Sequence, residues 1–259
     1  MQILTYNVNG IRAAMRNGLI EWLADKPYDI LCFQEVKATP DQVNLLEFEA
    51  LGYHLVGWNA AQKKGYSGVA IFSKLPTDRC VIGCGIDLYD YEGRVIRADF
   101  GKLTVVNAYF PSGTSGDERQ GVKMKFLDDF YDWIHVLKLT GQHLIIVGDY
   151  NIAHQELDIH DPIRNKNTTG FLPEERKWMT KWFASGFTDA FRHANPDLVE
   201  YSWWSYRAGA RGNNKGWRID YLSISDALRA QVAVCRQLPD AVHSDHCPVW
   251  LQLKESTFS

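Results

Sequence analysis

Five segments of this chain carry carboxylate, amide or imidazole side chains just where an apolar run gives out. They are Thr-Tyr-Asn-Val-Asn-Gly at 5–10, Cys-Phe-Gln-Glu-Val-Lys at 32–37, Val-Gly-Asp-Tyr-Asn at 147–151, Trp-Arg-Ile-Asp-Tyr at 217–221 and His-Ser-Asp-His-Cys-Pro at 243–248. Taken singly, each is an ordinary polar strand end. Repetition changes the reading, because strand ends on one rim of a packed protein bring such groups around one point. Converging carboxylates repel each other and are costly to desolvate unless a cation sits among them. Oxygen donors without a cysteine or histidine cluster suit Mg²⁺, with Mn²⁺ able to substitute, over Zn²⁺. An acidic pocket that accepts a phosphate needs such an ion. Asp149 and Asn151, two residues apart, share a face if the strand runs through both.

These groups need elements to position them. Period-2 or continuous apolar runs predict strands at 3–8, 29–34, 54–58, 68–73, 95–100, 103–110, 143–148, 218–223, 232–236 and 249–253. Amphipathic spacing predicts helices at 18–25, 41–50, 118–139 and 174–185, the last opened by Pro173. Strands outnumber helices and fill more than one sheet. The expected fold is therefore α/β, a four-layer α/β/β/α sandwich of two packed mixed sheets flanked by helices. No linker interrupts it, so residues 1–259 are expected to form one domain whose two similar halves meet near residue 117. The longest stretches without periodicity, 151–172 and 206–216, are of a length that usually serves function.

Composition narrows the class. With 46% hydrophobic residues among 259, the chain can bury a large core. The first residues enter a strand directly, without a basic leader, and the apolar runs fall far short of the roughly 20 residues of a membrane helix. A cytoplasmic protein without a membrane span is expected. Five cysteines, none in a Cys-x-x-Cys pair, read as reduced and structural. A net charge of -3 argues against holding nucleic acid by bulk charge, but leaves local basic clusters such as Arg207, Arg211, Lys215 and Arg218.

The ordered set of motifs is specific. Asn-Val-Asn-Gly at 7–10, Gln-Glu-Val-Lys at 34–37, Gly-Tyr-Ser-Gly-Val at 65–69, Gly-Asp-Tyr-Asn-Ile-Ala-His at 148–154, Gly-Phe-Leu-Pro-Glu-Glu-Arg at 170–176, Tyr-Ser-Trp-Trp at 201–204, Gly-Trp-Arg-Ile-Asp-Tyr at 216–221 and Ser-Asp-His-Cys-Pro at 244–248 follow one another along the chain. Together they resemble the exonuclease III family of apurinic/apyrimidinic endonucleases over essentially the whole length. Asn9 stands where some members carry aspartate, and the 165–170 stretch departs from the usual lysine-and-asparagine run.

The resemblance implies a Mg²⁺-dependent DNA repair phosphodiesterase, a monomer acting on double-stranded DNA with abasic sites or 3′ ends. It implies cleavage 5′ to the abasic site, with 3′-5′ exonuclease and 3′-phosphodiesterase activity beside it. Glu35 would be the principal metal ligand, helped by Asn7 and Asp245, with Asp149 and Asn151 close to the ion. Asp149 would position or deprotonate the attacking water, Asn151 would orient it, Asp220 would pair with His246 against the scissile phosphate, and Tyr109 would donate to a phosphate oxygen. Whether Asp149 or His246 is the general base, and whether one or two ions bind, stays open. Trp203, Trp217 and Ile219 match positions that line a pocket for a flipped sugar. Lys37, Tyr66, Asn165, Lys166, Arg207 and Lys215 would hold the DNA backbone.

Three competing readings remain. A 3′-end-trimming exonuclease with little internal abasic cleavage would share the whole site. A deoxyribonuclease I-like nuclease or a phosphoinositide phosphatase-like enzyme would share the same catalytic groups and differ at the tryptophan pocket. A binding module without catalysis would have no reason to keep so charged a cluster.

Overall fold

A computed structural model describes residues 1–254. Among them the chain forms twelve strands: β1 (Gln2–Asn7), β2 (Ile30–Gln34), β3 (His54–Asn59), β4 (Val69–Ser73), β5 (Arg79–Ile82), β6 (Val95–Phe100), β7 (Leu103–Tyr109), β8 (His143–Asp149), β9 (Phe187–Asp189), β10 (Asp220–Ser225), β11 (Val232–Gln237) and β12 (Val249–Leu253). The helices are α1 (Ile11–Arg16), α2 (Leu19–Ala24), α3 (Leu46–Ala50), α4 (Asp87–Tyr91), α5 (Asp117–Lys138), α6 (Pro162–Asn165), α7 (Pro173–Ala184) and α8 (Ala190–Ala194).

Strand alternation builds the layers. Along β8, Ile145 and Val147 enter the apolar cluster between the sheets, while Leu144 and Ile146 enter the one under α5 and α7. On β1, Ile3 faces the inter-sheet cluster, and Leu4 and Tyr6 face the one covered by α1 and α2. Three apolar layers between four structural layers make the α/β/β/α sandwich that the strand and helix pattern predicts.

The two sheets share one plan. The first runs β11-β12-β1-β2-β4-β3 and the second β5-β6-β7-β8-β10-β9. In each, a central parallel pair, β1 with β2 and β7 with β8, is flanked by antiparallel neighbours. The chain passes between sheets after β4 and again after β10, because the C-terminal hairpin β11–β12 returns to complete the first sheet. In chain order the two plans correspond as β1–β6 with β7–β12, so the repeat divides between Phe100 and Leu103.

Two strands escape the sequence pattern. The edge strand β5 is largely exposed and β9 has three residues, too few for a period to register. The predicted helix over 41–50 breaks in two, a 3₁₀ turn at Pro40–Gln42 and then α3, because Val43 is extended (φ -125°, ψ 137°). No helix of the described residues is long and apolar enough to cross a membrane.

A polar tie crosses the inter-sheet core below the site. Gln34 Nε2 donates to Asn107 Oδ1 at 2.7 Å, and Asn107 Nδ2 donates to the carbonyls of Phe33 (3.0 Å) and Ala70 (2.9 Å). Buried polar bonds of this kind fix one register where apolar packing would tolerate several. Here they set β2 against β7 just below their carboxyl ends.

Candidate active site

The carboxyl ends of the parallel pairs meet at one rim. Asn7 ends β1, Glu35 follows β2, Tyr109 ends β7 and Asp149 ends β8. Asp220 opens β10 opposite Asp149, and the segment before β12 brings in Asp245 and His246. Gly148 makes the approach to Asp149 close: at φ 140° it lies against β7, and a Cβ there would strike the Ala108 carbonyl.

Asn7 joins the sheets, its Nδ2 donating to Glu35 Oε1 and Asp149 Oδ2, both at 2.9 Å. Its Oδ1 accepts from Asn9 N (3.0 Å), so Asn7 offers the two carboxylates a donor. Asn151 N donates to Asp149 Oδ1 at 2.8 Å, and Asn151 Nδ2 donates to Phe110 O at 2.9 Å. His246 Nδ1 meets Asp220 Oδ2 at 2.8 Å, leaving Nε2 toward Asp149 Oδ2 at 3.8 Å. Asp245 is held apart from the other carboxylates, accepting from Asn9 Nδ2 (2.9 Å) and Trp203 Nε1 (3.0 Å). Four side chains of the rim sit on left-handed backbone: Asn9 (φ 46°), Glu35 (φ 49°), Lys37 (φ 51°) and Asn151 (φ 53°). Such strain clusters at functional sites, where the surroundings over-determine it.

The electrostatics divide the groups. Burial works against a charge on His246, but the Asp220 and Asp149 carboxylates outweigh it and raise its pKa, so the ring is an imidazolium. Burial, then Asp220, pushes the Asp149 carboxyl up, with His246 opposing. Glu35 goes the other way: burial opposes its charge, yet Lys37 Nζ, 2.7 Å from Oε2, and Asn7 hold it below the usual range. Burial and the neighbouring Glu35 and Asp149 carboxylates raise the Tyr109 phenol, which stays a donor.

The donor set fits a hard divalent cation. One oxygen each of Glu35 and Asp149 and a ring nitrogen of His246 lie within 4.8 Å of one another. Asp149 is a buried carboxylate facing a second one, and Asp220 Oδ1 has no hydrogen-bond partner among the described residues. That surplus of buried negative charge calls for a cation. The oxygens of Glu35 and Asp149 could hold such an ion, and oxygen ligation of this kind suits Mg²⁺.

Beside the polar cluster the cleft, about 380 Å³, turns apolar. Trp203, Trp217 and Ile219 line it with Thr168, Thr169 and Gly170, and Ser112 and Thr114 close the far side. The two indoles meet edge to face, centroids 6.0 Å apart. The six residues expected on the DNA backbone lie outside this recess. Arg207, Lys215 and Lys166 are exposed on its surroundings. Lys37 is ion-paired to Glu35 and bonded to Asn9. Tyr66 accepts from Arg94 (3.0 Å) and Arg119 (3.1 Å). Asn165 spends its amide hydrogens on the carbonyls of His160 and Asp161.

Sequence spacing gave no sign of Arg94, which is fully buried, donates to Tyr109 O at 2.9 Å and lies 5.0 Å from the Tyr109 ring centre. It is one residue ahead of an apolar run, where a basic residue reads as surface.

Residues 4–246 match the endonuclease/exonuclease/phosphatase family. Exodeoxyribonuclease from Bacillus subtilis is 43% identical over 253 residues, covering 97% of this chain and 98% of that protein. An AP endonuclease from Archaeoglobus fulgidus superposes with a TM-score of 0.89 at 29% identity, over 98% of this chain and 100% of that one. A 3′-5′ exonuclease from Neisseria meningitidis does so with a TM-score of 0.91 at 28% identity, over the same shares.

Proposed function

This chain belongs to the endonuclease/exonuclease/phosphatase family, within it to the exonuclease III group, and is a DNA repair nuclease hydrolysing phosphodiester bonds; from that premise we propose that it cuts duplex DNA 5′ to abasic sites, using Mg²⁺. The observation that carries the reading is the apolar recess of Trp203, Trp217 and Ile219 opening directly beside Asp149 and His246. A sugar without its base is flipped at little unstacking cost and fits an indole-lined recess. A deoxyribonuclease I-like or phosphoinositide-directed enzyme has no use for that wall. Five free cysteines accord with a reducing cytoplasm, and the protein acts as a monomer and a single domain.

Glu35 and Asp149 would hold the Mg²⁺ ion, which would supply Lewis-acid charge at a phosphate oxygen. The chain's own groups do the rest. Asp149, held by the Asn7 and Asn151 N–H groups, takes the proton of the attacking water, since His246 is already protonated. His246, its Nδ1 fixed by Asp220, donates Nε2–H to a non-bridging oxygen as charge builds there, and Tyr109 donates beside it. Lys37, Tyr66, Asn165, Lys166, Arg207 and Lys215 line the path of the flanking backbone, where they position the strand. Trimming of 3′ ends runs through the same groups as a lesser activity, because small Thr168, Thr169 and Gly170 leave the cleft open to a terminal nucleotide.

Initial rates on one duplex with a single internal abasic analogue, on the undamaged duplex and on a recessed 3′ end test the reading. Incision of the abasic duplex in Mg²⁺, abolished by chelator and faster than both others, is expected. Faster cutting of undamaged duplex would reject it.

A further inference from the structure

Lys123 projects from the second turn of α5 and Glu175 from the first turn of α7, and they form an ion pair of 2.6 Å with side chains 1% and 0% exposed. Burying two charges is costly, and well-packed apolar replacements are often as stable or more so. Stability alone does not account for the pair. Its wiring does. Lys123 Nζ also donates to the Asn151 carbonyl at 2.8 Å, the residue whose left-handed backbone (φ 53°) aims its N–H at Asp149. Glu175 Oε2 accepts from Gly170 N (2.7 Å) and Leu172 N (2.9 Å), while Oε1 accepts from Gln120 Nε2 (3.0 Å). Gln120 Oε1 in turn accepts from Thr169 Oγ1 at 2.7 Å. Gly113 lies directly against the Gln120 and Thr169 side chains, where a Cβ would displace them.

One ion pair therefore ties the turn that organises the reacting groups to the wall that receives the substrate. We propose that Lys123 and Glu175 are positioning residues of this nuclease: the ammonium fixes the Asn151 turn and the carboxylate fixes the 168–172 wall, so that their mutual distance is set by the pair. The inference rests on the nuclease reading above. Losing it displaces reacting groups without removing any, and a displacement of about 1 Å costs on the order of 10²-fold in rate.

The test compares melting temperature, single-turnover rate and KM on an abasic duplex for the parent, Lys123→Met and Lys123→Met/Glu175→Met. Lys123→Met strands a buried carboxylate and lowers both stability and rate. The double variant removes that stranded charge, and its melting temperature is expected within a few degrees of the parent while its rate stays about 10²-fold low at a KM within threefold. A double variant that regains the parental rate along with stability would make the pair structural only and overturn the proposal. Should the double variant not fold, Glu175→Gln keeps an acceptor for Gly170 and Leu172 without the charge: a tenfold slower rate at unchanged KM supports the proposal, and the parental rate overturns it. A parent that leaves the abasic duplex intact strikes the nuclease reading instead.

Discussion

Asp149 on β8 and Asp220 on β10 are direct cross-strand partners, two buried carboxylates facing each other in one antiparallel ladder. Like charges opposite each other destabilise a sheet. His246 lies between them, 2.8 Å from Asp220 and 3.8 Å from Asp149, and its cationic ring relieves part of the repulsion. The remainder is strain held at the site, which function requires and stability does not.

Asp149→Asn is accordingly expected to abolish incision, by at least about 10³-fold, while raising the melting temperature of the metal-free protein. Relief of about 1 to 2 kcal/mol in a chain of this length corresponds to a rise of roughly 2 to 8 °C. Calorimetry in chelator alongside an incision assay checks both; a destabilised variant would mean that the facing carboxylates are not in conflict.

Glu35→Gln removes a ligand but leaves Asn7 a partner. The Mg²⁺ concentration for half-maximal incision is expected to rise by about 10²-fold, with partial recovery of rate at saturating metal. A metal titration of incision decides the point, and an unchanged midpoint would move the ion away from Glu35.

Trp217→Ala deletes one wall of the apolar recess. Removing a well-packed tryptophan from a recognition surface costs about 2 kcal/mol or more, so abasic incision should fall by about 30-fold or more in kcat/KM. Hydrolysis of a small aryl phosphodiester, which needs only the polar cluster, should stay within threefold. Equal losses on both substrates would place Trp217 in support of catalysis, not recognition.

A buried ion cluster behind the recess contributes to acid stability. Asp158 is fully buried, with Arg218 at 2.7 Å and Arg192 at 2.6 Å. Burial opposes its charge, but Arg218 and then Arg192 outweigh it and hold the carboxyl at about 2. A folded-state pKa below the unfolded value stabilises the fold above about pH 4, and this contribution is lost as pH falls from about 4 toward 2. Asp158→Asn should cost about 3 kcal/mol between pH 5 and 8, with the gap to the parent narrowing below pH 4. Urea midpoints across that range test it; a gap that widened in acid would have the wrong sign.

The convergence of polar groups was legible in the sequence because most of them flank apolar strand patterns, at one end or the other. The recess could be read from Trp203 and Trp217, indoles placed off any strand period. Lys123 could not: flanked by Arg119 and Lys125 on a helix, it carries the signature of a solvated face, and only the packing of α5 against α7 buries it. Glu175 has the position of an ordinary first-turn acid on α7. Gln34 and Asn107 each look like a polar interruption of an apolar strand, and their bond across 73 residues depends on which sheets stack.

The bonds that complete the site span 142 residues between Asn7 and Asp149 and 236 between Asn9 and Asp245. At a translation speed of about 5 to 20 residues per second, Asp245 and His246 leave the ribosome roughly 10 to 50 s after Asn7. Asp149 follows 142 residues behind Asn7, so only over the last part of that interval does the nascent polypeptide hold both Glu35 and Asp149, still without His246. The rim is complete only with the segment that leads into β12, the strand that finishes the first sheet.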